Sequence, residues 1–253
     1  RSAAAGLDHV VGGRRDCLGR RHAVSLDTRD GEGRGVQDEP RPRTAPKEVR
    51  RTQLIEATID CIAERGISGT TMAQVTRRAG LSVGIVSLHF ESKENLLTST
   101  LVYLSEEVRK AWATIAETSD IDAAEKLCQI AISSFDPSIF TPTKVAVWFA
   151  FFGEAPYRQH YRKMVEGYDD ERGDVLIALC KQLVAETDGD ARDAEVLTDA
   201  IECFSDGLWF NAIVYPEDFT REYCVAQVRA FLAAQFPSHF KAHSGAGAGG
   251  AST

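Results

Sequence analysis

Two groups of residues in this 253-residue chain have types and spacings that could do chemistry. The first lies between Thr71 and Lys93. Ser82, Val83, Gly84, Ser87, Leu88 and His89 recur at intervals that put them on the outer side of one short helix. Small and hydrogen-bonding side chains on such a surface let a helix come close to the edges of base pairs. Serine hydroxyls donate or accept at phosphates and bases, a Val or Ile such as Val83 or Ile85 can meet a thymine methyl, and a helix N-terminus draws phosphate oxygens. Arg50, Arg51, Arg77, Arg78 and Lys93 cluster around this unit. The second group is aromatic and acidic. Trp148, Phe149, Phe151 and Phe152 share one short helix, Trp209 and Phe210 lie one turn from Asp206 on another, and Tyr168 and Glu202 complete the set. An aromatic face attracts a quaternary ammonium by ~0.5 to 2 kcal/mol per good contact, and a nearby carboxylate adds charge complementarity. At helical spacing the same aromatics also make an ordinary core, so both roles stay open for Trp148, Phe152, Tyr168, Glu202, Asp206 and Trp209.

The elements that must position these residues are helical. No proline stands between Pro46 and Pro137, and apolar residues there recur at helical rather than alternating spacing. Leu54, Ala57 or Thr58, Cys61 and Ile62 mark one face of a first helix that Gly66 ends. Thr71-x-x-Gln74 is a capping box opening a second helix that closes at Ala79-Gly80. Leu81-Ser82 turns, Val83 to Phe90 makes a third helix, and Ser92 caps a long fourth carrying Leu96, Leu97, Leu101, Leu104, Val108, Trp112 and Ile115. Met72, Val75, Ala79, Leu81, Val86 and Phe90 would pack on the first helix. Beyond this, Asp122-x-x-Glu125 opens a fifth helix, Thr141-Pro142 a sixth ending at Gly153, and Pro156 a seventh reaching Glu186. An eighth spans Asp190 to Val214, and Asp218 or Thr220 caps a ninth running to about Gln235. The expected fold is all-α, about nine helices. An N-terminal helix-turn-helix DNA-binding unit at 47–97 precedes a helical ligand-binding and dimerisation domain at 98–240.

Composition narrows the function classes. The net charge is −8, but residues 1–110 hold 18 Lys and Arg against 15 Asp and Glu, and the remainder 11 against 22. The excess negative charge thus belongs to the half that holds the aromatic group. Residues 1–46 contain nine Arg, seven Gly and no aromatic residue, and are expected as a disordered N-terminal tail; 241–253 is a Gly/Ala tail, expected to be flexible. The longest apolar run, Val145 to Phe152, is eight residues against the roughly 20 of a membrane-spanning helix, and the first 30 residues lack a signal-peptide core, so no membrane partner and a cytoplasmic location are expected. The six cysteines make no C-x-x-C or close Cys/His pair, which predicts isolated buried thiols, no metal and no cofactor. G-x-S-x-G, P-loop, G-x-G-x-x-G and H-E-x-x-H are all missing, which argues against an enzyme.

The stretch Thr70-Thr-Met-Ala-Gln-Val-Thr-Arg-Arg-Ala-Gly-Leu-Ser-Val-Gly-Ile-Val-Ser-Leu-His-Phe-Glu-Ser-Lys-Glu-Asn-Leu-Leu97 resembles the DNA-binding signature of the tetracycline-repressor (TetR) family of bacterial transcription regulators. The resemblance runs from about 47 to 97. Within the family, Gly84-Ile-Val-Ser-x-His-Phe90 is closer to the choline-sensing betaine-regulon repressors (BetI-like). Lys144-x-x-x-Trp148-x-Ala-Phe, Tyr161-Arg and Ile201-x-x-x-x-Asp206-Gly-Leu-Trp209 resemble that subgroup too. Ser87-Leu88-His89 departs from its usual Ser-His-Tyr order, so the same operator sequence does not follow. The resemblance implies that Thr71 and Lys93 contact phosphates, that Ser82, Val83, Gly84, Ile85 and Ser87 face bases, and that His89 reaches the DNA backbone. Arg50 and Arg51, just before the first helix, either enter the adjacent minor groove or sit near phosphates. It further implies a homodimer through helices 190–214 and 218–235 on a near-palindromic double-stranded operator, and release by a small-molecule effector: choline or a related quaternary ammonium compound, or an unrelated hydrophobic metabolite or drug. A helical ligand-binding module without DNA contact is the remaining alternative.

Overall fold

The computed structural model describes residues 46–186 and 194–240. The tails expected at 1–46 (Pro46 apart) and 241–253, and the start of the eighth helix at Asp190, lie outside these residues. Among the described residues there are nine helices and no strand: α1 Lys47–Gly69, α2 Met72–Ala79, α3 Val83–Phe90, α4 Lys93–Glu117, α5 Ala123–Ser133, α6 Pro142–Gly153, α7 Arg158–Ala185, α8 Ala194–Val214 and α9 Arg221–Gln235.

Local chemistry sets most of these boundaries. At the start of α2, the Gln74 backbone N–H donates to Thr71 Oγ1 at 3.3 Å and the Thr71 N–H donates to Gln74 Oε1 at 2.9 Å, so two of the helix's orphan donors are satisfied reciprocally. Its other end is a left-handed turn at Gly80 (φ 64, ψ 29), with Gly80 N–H donating to Arg77 O and Leu81 N–H to Thr76 O. Ser92, Asp122, Thr141 and Thr220 cap α4, α5, α6 and α9 through their side chains. α7 starts at Arg158 rather than Pro156, after a turn through Tyr157.

α1 is less simple than expected. Gly66 (φ 71, ψ 172) breaks it, but one further turn follows to Gly69. The broken ladder is made good by side chains: Thr70 Oγ1 donates to Gly66 O at 2.8 Å and Lys93 Nζ to Ile67 O at 2.8 Å.

Packing divides differently from the sequence. One core joins Leu54, Ile55 and Ile62 of α1, Val75 of α2, Val86 and Phe90 of α3 and Leu97, Leu101 and Leu104 of α4 to Val147 and Phe151 of α6 and Tyr161 and Val165 of α7. The expected boundary after Leu97 falls inside it. A second core gathers Trp112, α5, the C-terminal half of α7, α8 and α9 around Phe135, Leu176 and Phe236. α4 and α7 therefore contribute to both. The first core buries a full-sized apolar side chain from nearly every turn of α1, each worth ~1.5 to 3 kcal/mol.

The α2–α3 turn makes a stability prediction. A Cβ at Gly80 would meet nothing within 4 Å, so only the left-handed backbone opposes a side chain there. Gly80→Ala is expected to lower unfolding free energy by about 1 to 2 kcal/mol in urea titrations. Thr71→Ala is expected to cost ~1 kcal/mol through the lost cap. Unchanged midpoints for both would show that neither device holds the turn.

Candidate functional site

α3 is eight residues long and rests on α1 and α2 through Val86 and Phe90, both buried, with Met72, Leu81 and Ile85 half-buried beside them. The outer face presents Ser82, Val83, Gly84, Ser87 and Leu88 to solvent. Two residues expected on that face turn inward instead. Ile85 packs against the core, and His89 is half-buried with Nδ1 enclosed and without a hydrogen-bond partner. At 100° per residue, positions 84 and 88 fall opposite 86 and 90 while 85, 87 and 89 fall on the flanks, so it is packing against the neighbouring helices that turns 85 and 89 inward and leaves 87 outside. Burial, reinforced by the positive charges of Lys47, Arg50 and Arg51, holds the His89 pKa below the ordinary imidazole value, so its ring is neutral at pH 7 and carries no charge toward a phosphate.

The basic cluster is largely committed within the protein. Arg78 bridges Asp60 (3.2 Å) and Glu64 of α1. The Arg51 guanidinium lies over the Phe90 ring, 5.2 Å from its centroid, and Lys93 holds the Ile67 carbonyl. Arg50 and Arg51 stand in the first turns of α1, which begins at Lys47, rather than ahead of it. Arg77 is exposed, and Thr71 is exposed at the N-terminus of α2. Ser82 makes no capping bond with its side chain, which leaves its hydroxyl facing outward at the start of α3.

The aromatic and acidic residues converge. A cavity of about 520 Å³ is lined by Trp148 and Phe152 of α6, Tyr168 of α7, and Glu202, Asp206 and Trp209 of α8, all six singled out in the sequence. Trp148 and Phe152 stack, with centroids 6.0 Å apart and planes at 14°, and Trp209 Nε1 is buried without a partner. The Tyr168 hydroxyl donates to Glu106 Oε1 at 3.0 Å. Trp112, Arg109, Asp169 and Arg172 are among the lining residues that the sequence reading missed. Arg172 is the centre of the polar part. Its Nη1 meets Glu202 Oε1 at 2.6 Å, while its Nε and Nη2 are buried and unpaired. Asp169, Glu202 and Asp206 surround it, and lost hydration raises the pKa of each, with Arg172 pulling the other way. Asp169 is pushed up to about 6, first by lost hydration and then by the neighbouring Glu202 carboxylate, against the pull of Arg172.

The walls are tied across the bundle. Arg109 of α4 makes a two-pronged pair with Glu171 of α7 at 2.7 and 2.8 Å, and Lys144 of α6 reaches Glu107 of α4 at 2.7 Å. α4 runs from the α3 turn at Ser92 to the cavity wall at Ser105, Val108 and Trp112, while α6, which carries Trp148 and Phe152, packs along α1.

Two family models match the chain: "Bacterial regulatory proteins, tetR family" over residues 54–100 and "BetI-type transcriptional repressor, C-terminal" over 123–237. The chain belongs to the TetR family. Its C-terminal part is of the BetI type. The regulator is 26% identical over 199 residues to the HTH-type transcriptional regulator BetI of Serratia proteamaculans, a match covering 78% of this chain and 98% of that one. A transcriptional regulator from Pseudomonas aeruginosa PAO1 has the same fold (TM-score 0.66, 24% identity, 77% and 94% of the two chains). So does one from Saccharomonospora viridis solved in complex with choline (TM-score 0.63, 17% identity, 73% and 96%). These relatives are transcription regulators, not enzymes, and so is this chain. No helix among its described residues is long and apolar enough to cross a membrane. Cys61, Cys128, Cys180 and Cys224 are buried as expected, but Cys203 on α8 is exposed.

Asp169 gives the regulator a pH signature. With its folded pKa raised from 3.8 to about 6, Asp169 binds more protons in the native than in the unfolded chain between those values. Its favourable contribution is complete below the unfolded pKa and is lost as pH rises through 6. Asp169→Asn is therefore expected to raise the urea midpoint more at about pH 7.5 than at about pH 5. An equal shift at both would mean the carboxyl is not perturbed.

Proposed function

We propose that this TetR-family regulator binds a near-palindromic operator as a homodimer, represses from it, and is released when an organic cation of the choline type occupies the cavity. The observation that carries the ligand half is the convergence of six residues, spread over 148–209, on one cavity with aromatic walls, where three carboxylates surround Arg172 while Arg109, paired with Glu171, and exposed Arg162 line it elsewhere. With Glu202 neutralising Arg172, Asp206 and the ionised form of Asp169 leave this part of the cavity negative, and a quaternary ammonium fits both its charge and its aromatic faces. The choline bound to the regulator from Saccharomonospora viridis, which shares the fold, agrees with this chemistry.

The dimer half rests on apolar exposure. Val196, Phe210, Ile213, Val214 and Tyr215 on and just after α8, and Tyr223 on α9, are exposed large side chains. Val196, Cys203, Gly207, Phe210 and Val214 recur at three-, four- and seven-residue steps along one side of α8. The same stripe on two copies makes a self-complementary interface and sets two α3 helices at a fixed separation. Ligand that prefers a conformation with wrongly spaced α3 helices lowers operator affinity by its coupling energy, typically ~1 to 3 kcal/mol. Two routes connect the cavity to α3: α4 through Ser92, and α6 through α1.

A second reading is favoured by size. A cavity of about 520 Å³ lies within the range of drug-sized ligands, which exceeds one small cation. An unrelated hydrophobic metabolite or drug is then the effector. Calorimetry and fluorescence anisotropy on DNA upstream of the coding sequence separate the two. Choline is expected to bind and to release the duplex, whereas 3,3-dimethylbutan-1-ol, its uncharged isostere, is not. Trp148→Ala should weaken choline by about 2- to 30-fold, the span of a lost cation–π contact, and Asp206→Asn should weaken it through the lost negative charge. Choline affinity should also fall as pH drops below 6, where Asp169 takes up a proton and the cavity loses a negative charge. Equal binding of the neutral isostere would favour the hydrophobic reading, and absence of any duplex binding would defeat the repressor itself.

A further inference from the structure

We infer that α3 reads its operator through thymine methyl groups, with Leu88 as the specificity-determining residue. This rests on the proposed entry of α3 into the major groove. Distinguishing guanine there takes the paired donors of Arg or Lys, distinguishing adenine takes Asn or Gln, and cytosine takes Asp or Glu. The eight residues of α3, Val-Gly-Ile-Val-Ser-Leu-His-Phe, include none of these. Its one titratable side chain, His89, turns inward. What the helix offers outward is Leu88, 76% exposed, and Val83, 54% exposed, with the Ser87 hydroxyl and Gly84 between them.

Gly84 is the second observation. A glycine inside a helix costs roughly 0.5 to 1 kcal/mol relative to alanine. Nothing within the protein calls for one here: the backbone is ordinary helix, and a Cβ would meet nothing within 4 Å. The open side faces solvent, so a close approach by a partner surface is what a side chain would obstruct. Gly84 is a notch between two apolar prongs, Val83 and Leu88, on a helix whose diameter with side chains, about 10–12 Å, fits the roughly 12 Å width of the major groove. In that groove the C5-methyl of thymine is the apolar feature the prongs can cover. The serine hydroxyls of Ser82 and Ser87 discriminate poorly between bases, which leaves the apolar contacts to carry sequence preference.

The full-length regulator is used to select bound duplexes from a random pool, and the enriched duplex is remade with deoxyuridine for thymidine at each A·T position, which deletes the methyl and keeps the pairing. Anisotropy titrations are expected to show wild-type affinity falling about 4-fold per methyl lost at the contacted position of one half-site, and about 15-fold when both half-sites lose it. Leu88→Ala should bind the uracil duplex as well as wild type does and no longer distinguish thymine from uracil. A residue that only holds α3 in place would weaken both duplexes alike. Gly84→Ala should reduce affinity at least several-fold while leaving thermal stability equal or higher. Wild-type indifference to uracil, or thymine discrimination that survives in Leu88→Ala, overturns the proposal while leaving repressor function intact. A pool from which no duplex is enriched overturns the groove reading together with it.

Discussion

An eight-residue helix is too short to persist in water by its own hydrogen bonds, so α3 exists only because something holds its inner face. Val86 and Phe90 are that hold, fully inside the first core, with the Arg51 guanidinium closing over the Phe90 ring from α1. The turn that follows is tight enough to force Glu91 to φ 59, a conformation non-glycine residues seldom adopt. That geometry is tolerated because both sides of it are fixed, by Phe90 in the core and by the Ser92 cap of α4. The direction of α3 is therefore determined by α1 and α4 together, and α1 is in turn backed by α6. A reading helix whose outer face contributes nothing to stability is free to carry residues chosen for a partner, which is where Gly84 and Leu88 stand.

The same logic explains the basic residues. In a sequence, an arginine beside a candidate DNA-binding helix reads as a phosphate contact. Here Arg78 ties α2 to Asp60 and Glu64, Arg51 stacks on Phe90, and Lys93 satisfies a carbonyl stranded by the break at Gly66. Each position joins two elements distant in the chain, so the three charges help hold the three-helix unit together. Exposed pairs of this kind contribute little individually, ~0 to 1 kcal/mol, and their use is geometric. In the proposed function, attraction to DNA then falls to fewer of the described basic residues than the sequence suggested, with exposed Arg77 and the hydroxyls of Thr71 and Ser82 left to supply contacts.

What was legible in the sequence was what is local. Thr71 with Gln74, Ser92, Asp122 and Thr141 act within their own first helical turn, and the chain alone located them to the residue, while for α9 it left Asp218 or Thr220, of which Thr220 is the cap. The inner and outer faces of α3 were also readable for Val86, Phe90, Gly84 and Leu88, since helical period assigns them; Ile85 and His89 lie on the flanks, where period does not decide and packing against the neighbouring helices half-buries them. Arg172 and Asp169 carried no such mark. Their character comes from burial and from Glu202 and Asp206, thirty or more positions away on α8, and a run such as Asp169-Asp170-Glu171 looks like a solvated face until the bundle closes. The packing across Leu97 was hidden for a related reason: α6 and the start of α7 return to the first core, and nothing local announces a return.

That return gives the cavity its position. Trp148 and Phe152 pack against the first core, Trp112 and Trp209 belong to the second, and the cavity lies along the seam where neither core fills the space. Close-packed cores resist deformation, whereas a seam between two of them is where they can shift relative to one another. The ties across it, Arg109 to Glu171 and Lys144 to Glu107, are partly exposed ion pairs that constrain direction more than they resist movement. In the proposed function, a ligand entering this seam works on the relation between the body that contains α3 and the body that carries the exposed stripe of α8. The deeper pair of Arg172 and Glu202 bridges α7 and α8, so a ligand that draws on Glu202 acts on the relation between those two helices. A site built this way needs no long chain of contacts to reach the DNA, because α4 belongs to both bodies and ends in the turn that aims α3.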